Sequence, residues 1–145
     1  MTWAYTSLAV LAGAMLPLQA AINARLAKVI GSSVWAAAYS GAALAVLLTI
    51  VAGLFFRSMP RTEGLSSLPW WAWTGGVCGA VVLSATTATA PRLGAAAMVA
   101  FVMTGQVAGS LVLDHFGLFG LDVQIITLKR LAAAVLLIAG ALLIR

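Results

Sequence analysis

Five long apolar runs divide the chain, at residues 5–26, 34–56, 70–90, 95–113 and 125–144. Each approaches the roughly 20 residues that an α-helix needs to cross about 30 Å of hydrocarbon, so the pattern predicts five transmembrane helices. The stretches between them, 27–33, 57–69, 91–94 and 114–124, are too short for an extramembrane domain. Any function therefore sits in the bilayer or at its edges, in a single transmembrane domain spanning residues 1–145.

Residues that favour interfaces mark the ends of the runs. Trp3 precedes the first, Trp35 opens the second, and Trp70, Trp71 and Trp73 open the third. Their amphipathic rings sit well at headgroup level, so they read as an aromatic belt rather than a ligand-stacking box. Pro60, Pro69, Pro91 followed by Gly94, and the Gly117 to Gly120 turn punctuate the remainder. The first run lacks a basic n-region, so it reads as a mature helix and not a signal peptide. In the fifth, Lys129 and Arg130 lie about a turn inside the start and leave Leu131 to Ile144 uninterrupted, which covers roughly 21 Å. A helix beginning near Ile125, with both cations snorkelling outward, reaches about 30 Å.

Composition fixes the solvent. Of 145 residues, 63% are hydrophobic and 8% charged, against roughly 45–50% and about 25% in an average globular protein. So little polar material cannot cover a water-exposed surface, and the solvent for most of this chain is lipid. One cysteine, Cys78, excludes an intramolecular disulfide, and one histidine, His115, cannot build a multi-histidine metal site. No nucleophile and base pair, metal cluster or phosphate loop is present, so the chain is not expected to be an enzyme or to carry a metal or cofactor.

The net charge of +5 comes from 8 Lys+Arg against 3 Asp+Glu. The cations stand singly or in pairs at the ends of apolar runs, where headgroup contact explains them, and they do not imply nucleic-acid binding. With five spans the loops alternate sides. One side receives Arg25, Lys28, Arg92 and Arg145, the other Arg57, Arg61, Lys129 and Arg130. Four against four gives the positive-inside rule nothing to act on, and dual insertion of the chain is the expectation. The alternative is a weak bias set by details such as Glu63.

Polar residues at membrane depth are costly unless they face a partner or a watery cavity. Gln19 and Asn23, four apart in the first run, share one helical face. Pro17 removes an amide hydrogen bond and presses on the carbonyl of Gly13, loosening the backbone beside the two carboxamides. A ligand pocket and a kinked helix bonded to its neighbours both fit this pattern. In the fourth run, Gly105 and Gly109 form a small-residue ridge beside Gln106; in the third, Gly75 and Gly79 repeat the device. These ridges read first as packing surfaces, and Gln106 as an amide in need of a partner such as substrate or Gln19. Tyr39 and Ser40 are secondary candidates. Ser84, Thr86, Thr87 and Thr89 are expected to satisfy themselves on backbone carbonyls one turn back. The only acids are Glu63, Asp114 and Asp122, none central in a run. Asp114, followed by His115, comes nearest to a proton-coupling carboxylate, and equally reads as a helix-end anion paired with Lys129 or Arg130.

The stretches GAMLPLQAAINARLAKVIGS, WAAAYSGAALAVL, WWAWTGGVCGAV, APRLGAAA, MTGQVAGSLVLDHFGLFG and LLIAGALLIR together resemble the YdcZ-type branch of the drug/metabolite transporter superfamily, over nearly the whole chain. The resemblance implies an all-α membrane bundle of five helices, one half of a ten-helix fold made from two halves inserted in opposite senses. Two copies would then form an inverted pair with the cavity near the midplane. The related small multidrug-resistance carriers also work as antiparallel pairs, but on a first-helix glutamate that this chain lacks. That departure argues against proton-for-cation exchange and toward a neutral or zwitterionic metabolite, or another mode of coupling.

The leading expectation is an inner-membrane exporter of a small polar molecule, working by alternating access as an antiparallel homodimer or with a paralogue of opposite orientation. Gln19, Asn23 and Gln106 would line its pocket, Pro17 would let helix one adjust, and the glycine ridges would pack moving helices. A dual-topology small-ion channel and a non-transporting assembly partner are the alternatives.

Overall fold

The computed structural model describes residues 2–56 and 65–144. Arg57, Pro60, Arg61, Glu63 and Arg145 lie outside the described residues. Every regular element described is helical: α1 (Thr2–Ile30), α2 (Ser33–Val51), α3 (Gly75–Leu93), α4 (Ala95–Phe116) and α5 (Leu128–Ile144). The fold is thus an all-α membrane bundle.

The helix ends follow local chemistry. Gly31, at φ +82°, takes the left-handed turn after α1, and Ser32 caps α2 by accepting a hydrogen bond from the Trp35 amide at 3.3 Å. A π turn, Ala52–Phe56, continues α2. Trp70–Trp73 forms a 3₁₀ turn of its own after extended Pro69, and α3 starts only at Gly75. The Thr74 hydroxyl, donating to the Trp71 carbonyl at 2.7 Å, ties this junction. α3 in turn runs through Pro91 to Leu93, beyond the apolar run that ended at Ala90. A proline there forfeits one bond in the last turn, and the Gly94 amide still reaches the Ala90 carbonyl at 3.0 Å. α5 begins at Leu128 and not near Ile125, because Thr127 caps it: its hydroxyl oxygen accepts from the Arg130 amide at 3.4 Å. Its 17 residues rise about 25 Å.

Three helices, α1 from Trp3, α2 with its π turn to Phe55, and α4, are long and apolar enough to cross a membrane. α5 falls short in length. α3 has the length, but serines, threonines and Arg92 dilute its apolar character.

The chain forms two compact units. One holds the residues up to Pro17 and those from Thr89 onward; the other is Leu18–Ala88. In Leu18–Ala88 the buried residues are Ala20, Asn23 and Ala24 of α1, Ala36 and Ala37 of α2, and Thr86 and Thr87 of α3. These positions lie toward the α1–α2 turn and the C-terminal half of α3. In the other unit they are Ala90, Ala97, Met98 and Ala141, and α4 packs along α5. Large apolar side chains such as Leu11, Leu47, Val77, Leu136 and Leu143 are exposed. A soluble core has the opposite arrangement. Small residues inside and large ones outside suit a lipid solvent, in which helices associate by close backbone approach rather than by hiding leucine from water.

The α4–α5 connection is the most constrained turn described. Gly117 has φ +59°, and a Cβ there would lie 2.7 Å from Val123 Cγ2 and 3.1 Å from the Leu121 carbonyl oxygen. Gly120 has φ +83° with open space around it. Both positions penalise an L side chain by about 1–2 kcal/mol, but only Gly117 adds a clash. Gly117→Ala is therefore expected to lower the thermal midpoint of the purified protein more than Gly120→Ala. Equal midpoints for the two variants would show that Val123 does not pin the turn.

Candidate functional site

Within Leu18–Ala88, the carboxamide face of α1 separates into a half-buried Gln19 and a buried Asn23, one helical turn on and only 3% exposed. Ala20 and Ala24 flank Asn23 and are themselves buried. Asn23 Nδ2 is buried without a hydrogen-bond partner. Such an unmade bond costs about 1–3 kcal/mol, so it needs a reason.

Thr86 and Thr87 are the other buried polar residues of this unit. Thr86 donates to the Val82 carbonyl at 2.8 Å and Thr87 to the Leu83 carbonyl at 2.7 Å, each one turn back. Self-satisfaction of these hydroxyls was legible in the sequence; their burial in the same unit as Asn23 was not. Ser40 is half-buried and Tyr39 exposed, while Arg25 and Lys28 both point to the surface.

The glycine ridges are open. Gly75 and Gly79 on α3, and Gly105 and Gly109 on α4, are exposed, and a Cβ at any of them would meet nothing within 4 Å. Both ridges thus have room for a neighbouring backbone to approach. Gln106, beside the α4 ridge, is also exposed. Gly13 has open space around it too, and α1 continues without interruption past the half-buried Pro17.

The charged residues form a separate cluster at the α4–α5 turn. Arg130 Nη1 lies 3.4 Å from Asp114 Oδ2, with the two side chains 35% and 32% exposed. Arg130 Nη2 donates to Gln124 Oε1. The Gln124 amide donates to the Asp114 carbonyl at 2.8 Å, so side chains and backbone close the turn together. Lys129 is exposed. His115 stacks edge-on to Phe116 with centroids 4.9 Å apart, and its Nδ1 is buried without a partner. Sequence reasoning missed Gln124 and Thr127, because nothing in a linker's spacing marks a residue that folds back onto a helix end.

An ion pair this accessible is worth about 1 kcal/mol or less, and Arg130 keeps Gln124 if Asp114 is neutralised. Asp114→Asn is accordingly expected to lower the thermal midpoint only slightly and to leave the pH profile of transport unchanged. A flattened pH profile would instead make Asp114 a proton carrier.

This part of α1 thus offers binding groups: a buried amide donor, a half-buried amide one turn before it, and a proline two residues before that. Among the described residues, no group of three His, Cys, Asp or Glu side chains comes together to hold a metal. Neither a curated protein nor a solved structure matches the chain. A family model does, that of "Putative inner membrane exporter, YdcZ", over residues 4–143. With almost its whole length matched, the chain belongs to the YdcZ family of inner-membrane exporters within the drug/metabolite transporters.

Proposed function

We propose that this protein exports a small polar metabolite or drug by alternating access, and that two copies in opposite orientation form the working carrier. The observation that carries the reading is the Asn23 amide: buried, unpartnered and one turn from Gln19 on a membrane helix. A purely structural amide is bonded in the resting fold. A donor left open is what a carrier needs if its substrate is to complete the bond. Gln19 and Asn23 bind substrate, with Ser40 and Tyr39 of α2 as secondary candidates in the same unit. Pro17 leaves the Gly13 carbonyl without its usual helical donor, which gives α1 a place to bend.

The chain spans the membrane five times in this reading, with α3 and α5 shorter in apolar length than the rest. Balanced basic residues on the two sides support dual insertion, and the open glycine ridges, with Gln106 beside one of them, support a second copy packing there.

Reconstitution into liposomes tests the reading. Saturable efflux that is accelerated by substrate on the opposite side identifies a carrier. Unsaturated flux with single-channel currents identifies a pore, and an inert chain that copurifies with a second gene product identifies an assembly partner. A C-terminal reporter is expected on both sides of the membrane; a reporter wholly on one side removes the homodimeric inverted pair.

A further inference from the structure

We infer that the substrate presents a hydrogen-bond acceptor, a carboxylate or carbonyl oxygen, to the Asn23 side-chain nitrogen. The inference rests on the exporter reading and names the substrate class of the same site.

Two observations bear on the polarity of the group that must enter. Asn23 is 3% exposed, and its donor nitrogen, Nδ2, is buried without a partner. The other buried polar residues of the unit do not take that donor. Thr86 and Thr87 direct their own protons at the Val82 and Leu83 carbonyls, and neither hydroxyl oxygen accepts from Nδ2. An acceptor oxygen meets two unused N–H bonds. Binding then recovers the cost of the open donor, which makes the occupied state the better satisfied one.

Asn23 is the sole asparagine in the sequence, so labelling with ¹⁵N-asparagine gives one side-chain amide pair and reports on this atom directly. The full chain in detergent is titrated with three probes of similar size: isobutyrate, which only accepts; isobutyramide, which accepts and donates; and protonated isobutylamine, which only donates. Isobutyrate and isobutyramide are expected to move the Asn23 side-chain proton pair downfield and to raise the thermal midpoint. Isobutylammonium should do neither. In Asn23→Leu the thermal shift with isobutyrate should weaken by about tenfold to a hundredfold in affinity.

Movement of the amide pair by isobutylammonium alone overturns the proposal. So does undiminished stabilisation of Asn23→Leu by isobutyrate, or an amide pair that no probe moves. The two readings separate cleanly. Probe binding at Asn23 without flux in liposomes leaves the acceptor site standing and removes the exporter. Saturable flux with an unresponsive Asn23 does the reverse.

Discussion

Asn23→Leu is expected to abolish efflux while leaving the purified protein as stable as the parent, or more so. Leucine has the branched outline and heavy-atom count of asparagine, so the substitution is close to conserving shape. What it removes is a buried donor with no partner, and relief of that penalty, about 1–3 kcal/mol, opposes whatever the larger methyl groups cost. Efflux should fall by up to about a hundredfold if the amide binds the transition between outward and inward states, since one hydrogen bond to a charged or polar ligand is worth up to about 3 kcal/mol. Gln19→Leu should reduce efflux in the same direction but less, because Gln19 is only half-buried and water can replace part of what it supplies. Thermal midpoint and liposome efflux, measured on the same preparations, decide the matter. A structural asparagine would lose both together, whereas a binding asparagine separates them. A less stable Asn23→Leu that still transports would remove Asn23 from the site.

The sequence showed Asn23 and Gln19 on one face but not that their surroundings differ, because period 3.6 assigns a face and says nothing of how closely the next helix approaches. Alanine supplied the missing information. Ala20, Ala24, Ala36 and Ala37 are the buried apolar residues of that unit, and a run of small residues marks close approach in lipid as leucine marks burial in water. Hydropathy treats alanine as merely weakly apolar, so the inner face was hidden in plain composition. Element ends followed the same logic. The apolar runs placed the helices, yet Thr127 moved the start of α5 and Thr74 and Pro69 split Trp70–Trp73 from α3. Caps act through single hydrogen bonds that an apolar average does not register. The Asp114–Arg130 pairing was readable as a choice between two cations. The choice itself depended on Gln124, seated by its backbone bond to the Asp114 carbonyl.

Replacing Gly105 and Gly109 together by isoleucine is expected to leave the single chain folded and to dissociate the pair. Neither position has an atom within 4 Å of an added Cβ, so branching at that carbon starts from open space within the chain. Exchanging glycine for isoleucine inside α4 also recovers a few tenths of a kcal/mol of helix propensity at each site. In an assembled carrier the same branched side chains hold two backbones apart. Association in lipid depends on that proximity, because lipid tails solvate an apolar surface as well as another helix does. The dimer fraction, read by sedimentation in density-matched detergent, should fall by about tenfold or more while helicity and thermal midpoint are held. Gly75→Ile with Gly79→Ile on α3 provides the internal comparison. Dissociation by the α3 pair alone moves the interface to that ridge, and dissociation by neither moves it off both. Flux closes the argument. If one chain is half a carrier, transport must disappear in step with the dimer; a dissociated variant that still exports would mean that five helices suffice and that the balanced charges of this chain have another origin.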